Sequence, residues 1–203
     1  MQTIPLFPLG TILFPGGLLP LKLFEQRYLE MAKACFRDES SFGVCGIKQG
    51  SEVGAPATPF DVGCLAKIIH WDMPQLGILQ IVAQGGERFR VLSHRTQADG
   101  LLIGEVENIA NEESRPIDLE FAPCADVLKQ IVAGIGEQHF PTPTRFDDET
   151  WVGNRLAEIL PLPLPTKQRL LEIGDATERL VELSKMLREQ GLITNEISRD
   201  AKP

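Results

Sequence analysis

Cys64 and His70 are the first residues to weigh as chemistry, because a thiol beside an imidazole base can become a nucleophilic thiolate. Glu25 is the carboxylate that such a site would recruit. Cys64, however, lies in the apolar run Cys64-Leu65-Ala66-Lys67-Ile68, where a small buried side chain is the ordinary expectation. The three histidines, His70, His94 and His139, share no ligand spacing, and the four cysteines, Cys35, Cys45, Cys64 and Cys124, form no C-x-x-C pair. The sequence therefore predicts reduced, buried thiols rather than a zinc site or a disulfide framework. The acidic run Asp147-Asp148-Glu149 offers oxygen ligands to a cation, but it stands where acids complement a helix N-terminus, and capping is the expectation. Gly-Lys-Ser, Gly-Lys-Thr, Gly-x-Ser-x-Gly and His-Glu-x-x-His are absent, which removes the P-loop and the common local signatures of serine hydrolases and zinc proteases. No catalytic residue, metal or cofactor is predicted, and an enzyme would need a site assembled from distant residues such as Cys64, His70 and Glu25.

The elements that would position these residues fall into two textures. Over 1–110 the chain shows short β-prone runs broken by Gly and Pro, as in a small barrel or closed sheet, interrupted by one helix over 24–38. That helix places Phe24, Tyr28, Met31, Ala32, Cys35 and Phe36 on one side at helical spacing. Strand signals run from Cys64 to Ile69, Ile78 to Ala83, Arg88 to Leu92 and Leu101 to Val106, with Gly85-Gly86 as the best turn between them. Alternation in Arg88-Phe89-Arg90-Val91 sends both arginines to a wet face. After a polar connection over 108–116, the region 117–191 reads as helices broken by Pro141, Pro143, Pro161, Pro163 and Pro165. Asp175 with Glu178 predicts a capped final helix ending at Gly191, and 192–203 reads as a polar tail. The fold class expected is α+β, a small β-barrel followed by an α-helical bundle.

Composition bounds the partners. The chain has 203 residues, 43% of them hydrophobic, with a net charge of -8 and a pI near 5.0. That charge opposes the phosphate contacts that dominate nucleic-acid affinity. An RNA-binding surface would need a local basic stripe, for which Lys67, Arg88, Arg90 and Arg95 are the candidates. The first basic residue is Lys22 and no apolar run approaches the roughly 20 residues that span a bilayer. The expectation is a soluble, cytoplasmic protein with no membrane partner.

One segment is more specific. Phe7-Pro8-Leu9-Gly10-Thr11-Ile12-Leu13-Phe14-Pro15-Gly16-Gly17-Leu18-Leu19-Pro20-Leu21-Lys22-Leu23-Phe24-Glu25-Gln26-Arg27-Tyr28 resembles the opening of the Lon protease N-terminal domain. Its blocks F-P-G, L-P-L and F-E-x-R-Y appear here in order, and Gly85-Gly86-Glu87-Arg88-Phe89-Arg90-Val91 looks like the family's glycine turn and R-F-R strand. The helical end, 162–187, is similar in a more generic way. This resemblance implies a PUA-like barrel with a helical bundle, in a stand-alone form without the ATPase and peptidase parts. It also implies recognition of exposed or unfolded polypeptide segments, or of a partner protein such as a protease system; the PUA-like name keeps RNA open as an alternative. Pro15, Gly16, Pro20, Phe24, Glu25, Arg27, Tyr28, Gly86 and Arg88 are expected to hold the fold. The apolar surplus around the first turn, Phe14, Leu18 and Leu19 with Phe89, is the expected peptide or partner contact.

Overall fold

Six strands and then a run of helices follow the order of the two textures. The computed structural model describes residues 1–194. Strands β1 (Gln2–Leu9) and β2 (Leu18–Leu23) lead into helix α1 (Gln26–Asp38), followed by β3 (Phe42–Gln49), β4 (Thr58–Gln75), β5 (Ile78–Thr96) and β6 (Leu102–Ile109). Helices α2 (Ala122–Ile135), α3 (Glu149–Ile159), α4 (Leu164–Glu172) and α5 (Ala176–Glu189) complete a mixed α+β fold. Strand order is β2-β5-β4-β3-β1-β6, and β6 pairs with β5 as well. The pairings β1–β3, β3–β4, β4–β5, β5–β6 and β6–β1 thus return to the strand they start from, leaving β2 attached to β5 alone. Among the described residues only the β1–β3 pairing is parallel.

Local sequence accounts for most boundaries. Glu25 is the N-cap of α1, its carbonyl accepting from the Tyr28 and Leu29 N–H groups. Tyr28, Met31, Ala32 and Cys35 turn inward as their spacing predicts and pack on Leu23, Leu79, Ile81 and Ala83. Phe24 instead precedes the helix and is exposed, as is Phe36 near its end. Asp148 caps α3 by accepting from the Trp151 N–H at 2.9 Å, and Asp175 caps α5 by accepting from the Glu178 N–H at 3.0 Å. Both satisfy orphan donors of a first turn. At the far end Gly191 has φ 70°, and the Leu192 N–H reaches the Leu187 carbonyl. Ile193 then folds back into the helical core rather than fraying as the tail's polarity suggests. The rest of that expected tail, 195–203, lies outside the described residues.

Two expectations about β5 are corrected. Gly85-Gly86 is no turn, because β5 runs unbroken through it; the turn lies at Leu76-Gly77, where Gly77 has φ 84°. Gly85 is instead a site of close approach. A Cβ there would collide with the carbonyl of Phe14, whereas at Gly86 the nearest atom would be 3.6 Å away. Nor is Arg88 on a wet face. Its side chain alternates away from Phe89 as predicted, but the helical half covers that face, and Arg88 is 2% exposed.

The core lies in three clusters. Ile4, Leu6, Cys45, Phe89, Leu102 and Val106 fill the space inside the strand circuit. A second cluster joins the strands to α1. The third is the helical core, and it draws Ile12, Phe14 and Val62 from the strand half. Phe14, fully buried, is a plug that the strand half inserts among the helices.

Candidate functional site

Buried charge marks the junction between the halves. The Arg88 guanidinium donates to the carbonyls of Leu171 (2.9 Å) and Ile173 (2.6 Å) at the end of α4, and pairs with Glu112 at 3.1 Å. Arg179 of α5 grips the same carboxylate through two bonds, at 2.7 and 2.5 Å, and donates to the Leu170 and Ile173 carbonyls. Burial lowers the Arg88 pKa against the opposing pull of Glu112, though a guanidinium stays charged. Arg155 of α3 donates to the Pro15 carbonyl at 2.8 Å and lies 3.3 Å from Glu158. Burial raises the Glu158 carboxyl pKa, an effect that the 23% exposure of its side chain moderates. These contacts hold the Pro15-Gly16-Gly17 turn between β5 and α3, and they build a joint rather than a reaction centre.

The other end of the same segment is open. The Gly85 N–H donates to the Gly17 carbonyl and the Gly16 N–H to the Gly85 carbonyl, both at 2.8 Å. Continuing that alternation, Ala83, Ile81 and Leu79 turn their backbone groups toward Leu19, Leu21 and Leu23. Leu18, Pro20 and Lys22 therefore point their backbone groups away from β5, along an edge that no other strand pairs among the described residues. The edge offers carbonyls at all three positions and N–H donors at Leu18 and Lys22, since Pro20 has none. Side chains alternate the other way: Leu19 and Leu21 lean on the α1 core, and Leu18, Pro20 and Lys22 share the opposite face.

A pocket of about 160 Å³ lies against this edge, lined by Phe7, Leu9, Leu23 and Tyr28 below and by Phe24, Glu25, Glu52 and Val53 nearer solvent. Phe7 and Tyr28 stack with centroids 3.9 Å apart. Arg27 braces the pocket from behind, bonding Glu25 at 2.7 Å and the carbonyls of Gly54 and Gly100 at 3.1 Å each, with its guanidinium over the Tyr28 ring. A second apolar surface runs along the β4–β5 arm, where Ile69, Trp71, Met73 and Leu76 are exposed and Phe36 meets Trp71 at 5.7 Å.

The sequence-predicted residues divide accordingly. Leu18 and Leu19 are half-buried on the open strand. Phe14 and Phe89 are both fully buried, in different clusters, and present no surface to a ligand. Among the expected fold-holding residues, Pro15, Gly16, Glu25, Arg27, Tyr28 and Arg88 make the contacts described, Pro20 stands on the open edge and Phe24 is exposed at the pocket rim. Gly86 makes no close approach, and Gly85 carries that role. Sequence reading missed the Arg88–Glu112–Arg179 triad, because its members are separated along the chain, and it missed the arm, whose signal was the alternation Ile69, Trp71, Met73.

Cys64 and His70 do not come together. Cys64 is fully buried with its thiol pKa pushed up by burial, while His70 is exposed six residues along the same strand, roughly 20 Å away at about 3.3 Å per residue. No group of three His, Cys, Asp or Glu among the described residues could hold a metal ion. The acidic run caps α3: Asp148 also accepts from the Ser114 hydroxyl, and Glu149 accepts from Thr177 at 3.1 Å. Arg88 is lost to any basic stripe. No helix among the described residues is long and apolar enough to cross a membrane.

Fold and site together define a two-part α+β module built around a locked joint and an open strand edge. The chain belongs to the substrate-binding domain family of ATP-dependent protease La (Lon), whose model matches residues 3–189. That domain is the substrate-recognition, non-catalytic part of the protease. A crystal structure of a Lon N-terminal domain protein from Xanthomonas campestris is 34% identical, with a TM-score of 0.76, covering 91% of this chain and 98% of that one. The N-terminal domain of a Mycobacterium avium complex Lon protease shares the fold at 20% identity, with a TM-score of 0.63, covering 93% of this chain and 99% of that one. The Lon protease of Parabacteroides distasonis is 27% identical over 93% of this chain, which spans 24% of that protein. The protein cereblon of Danio rerio is 32% identical over 53% of this chain and 25% of its own length. The chain thus spans about a quarter of the curated relatives it matches.

Proposed function

We propose that this chain captures exposed or unfolded polypeptide segments by adding them as a strand along β2. The observation that carries this reading is the open edge at Leu18, Pro20 and Lys22, whose free donors and acceptors match an extended backbone of any sequence. Membership of a substrate-binding family supports it. In this reading the closed circuit of strands is the PUA-like barrel and β2 is its external ledge. The setting is cytoplasmic, the clients are protein segments or a partner protein of a protease system, and neither cofactor nor turnover is needed. RNA is disfavoured by the net charge of -8 and by the burial of Arg88.

Pro20 gives the edge selectivity against itself. Two copies of β2 pairing about Pro20 would oppose two carbonyls with no donor between them, whereas a client residue with an N–H completes the bond. The test is amide hydrogen exchange with a permanently unfolded, carboxymethylated protein as client. Protection of the Leu18 and Lys22 amides is expected, and Lys22→Pro, which deletes one donor, should weaken binding. Protection confined to the Trp71 arm, with those two amides exchanging as before, would refute strand addition at β2.

A further inference from the structure

The pocket beside β2 has the size and lining of a subsite for one ring. Leu23 turns its backbone groups toward β5. On the open side it therefore stands at a non-hydrogen-bonded position, where an opposing Cα of an antiparallel strand comes within about 4.5 Å and side chains lie closest. Its own side chain enters the α1 core, so the residue opposite it projects the same way, into the pocket. Phe7, Leu9, Leu23 and Tyr28 are all buried and form an apolar floor. The volume, about 160 Å³, compares with the roughly 150 Å³ of apolar cavity that accepts a benzene ring. At the rim, Glu25 is engaged by Arg27, whereas Glu52 bonds the Gly10 N–H and has no cationic partner among the described residues.

We infer that this pocket is a specificity subsite for a phenylalanine-like side chain of a segment added to β2, and that it disfavours acidic flanking residues. The inference rests on the strand-addition reading. Backbone bonds then supply sequence-tolerant affinity, and the ring selects which stretch of a client is held. Glu52 repels a neighbouring carboxylate on the bound strand and leaves neutral or basic neighbours unopposed.

Fluorescence anisotropy with the full chain and short labelled peptides of Ser, Thr and Val tests it, one peptide carrying a single Phe, one Ala in its place, and one Phe flanked by Glu. Burial of the ring should tighten the Phe peptide at least about tenfold over the Ala peptide, and the Glu flank should remove part of that gain. Val53→Trp, at an exposed rim position, should abolish the advantage of the Phe peptide over the Ala peptide. Equal affinity of the Phe and Ala peptides, or a Phe preference that survives Val53→Trp, overturns the subsite. If Lys22→Pro still weakens both peptides in that case, strand addition stands without it. Absence of binding, or binding indifferent to Lys22→Pro, overturns both.

Discussion

Glu112→Gln should expose how much of the protein's stability depends on the joint between its halves. The carboxylate is the sole anion of the triad, taking Arg88 at 3.1 Å and Arg179 at 2.7 and 2.5 Å. An amide of the same shape strands two buried cations and turns an N–H₂ group toward one of them. Removing one partner of a buried pair costs about 3–5 kcal/mol. The carbonyls of Leu170, Leu171 and Ile173 still receive both guanidinium groups, so the low end, about 3 kcal/mol, is expected. Against a typical total of about 5–15 kcal/mol that is a large fraction, and for a chain of this size it lowers Tm by roughly 6–12 °C. Urea unfolding read by Trp151 fluorescence in a Trp71→Phe background measures it, with the slope m unchanged. Glu112→Asp keeps the anion while the carbonyls of Leu170, Leu171 and Ile173 keep their guanidinium donors, so it should lose clearly less than Glu112→Gln. A Glu112→Gln loss under about 1 kcal/mol, or a Glu112→Asp variant no more stable than Glu112→Gln, would refute stranded charge as the cause.

Three further outcomes follow from burial and close approach. Gly85→Ala should cost about 2 kcal/mol or more because its Cβ meets the Phe14 carbonyl, while Gly86→Ala should stay within about 0.5 kcal/mol; urea midpoints compare them. Phe14→Ala and Phe89→Ala should each destabilise by about 3–5 kcal/mol yet leave client affinity per folded molecule unchanged in anisotropy, since both rings are fully buried. The four free cysteines are buried, with the Cys45 thiol pushed up to about 12, so Ellman's reagent near neutral pH should find no reactive thiol until urea is added. Above the ordinary thiol pKa of 9.0 the unfolded chain releases a proton that folded Cys45 keeps. Stability measured by urea should therefore fall as pH rises from 9.0 towards about 12.

What the sequence made legible was local. Helical spacing located α1 and its buried face, Asp148 and Asp175 announced their helix starts, and the blocks around Pro15 and Arg27 identified the family. What stayed hidden was long-range. Arg88 alternates with Phe89 as a solvent-facing residue should, and only the arrival of α4 and α5 over that face buries it. Gly85-Gly86 carries the composition of a turn, but it is the approach of Phe14 from far along the chain that requires the glycine. A single-strand pattern records which way a side chain points and not what later covers it.

The division of labour within the first motif explains why its most visible residues are poor guides to binding. Phe14, Pro15 and the two following glycines are committed to the joint, and Glu25, Arg27 and Tyr28 to bracing α1. The groups left over at β2 are carbonyls and N–H donors, which every residue type supplies, apart from the donor that Pro20 lacks. A site made of backbone leaves its trace in the sequence as one interrupting proline and an alternation of leucines, Leu19, Leu21 and Leu23, that looks like any half-buried strand. The side-chain information is concentrated instead in the floor of the adjoining pocket, where Phe7 and Tyr28 are brought together from separate elements. The proposed sequence tolerance at the edge and selectivity at the pocket should therefore be separable by mutation, Lys22→Pro acting on the first and Val53→Trp on the second.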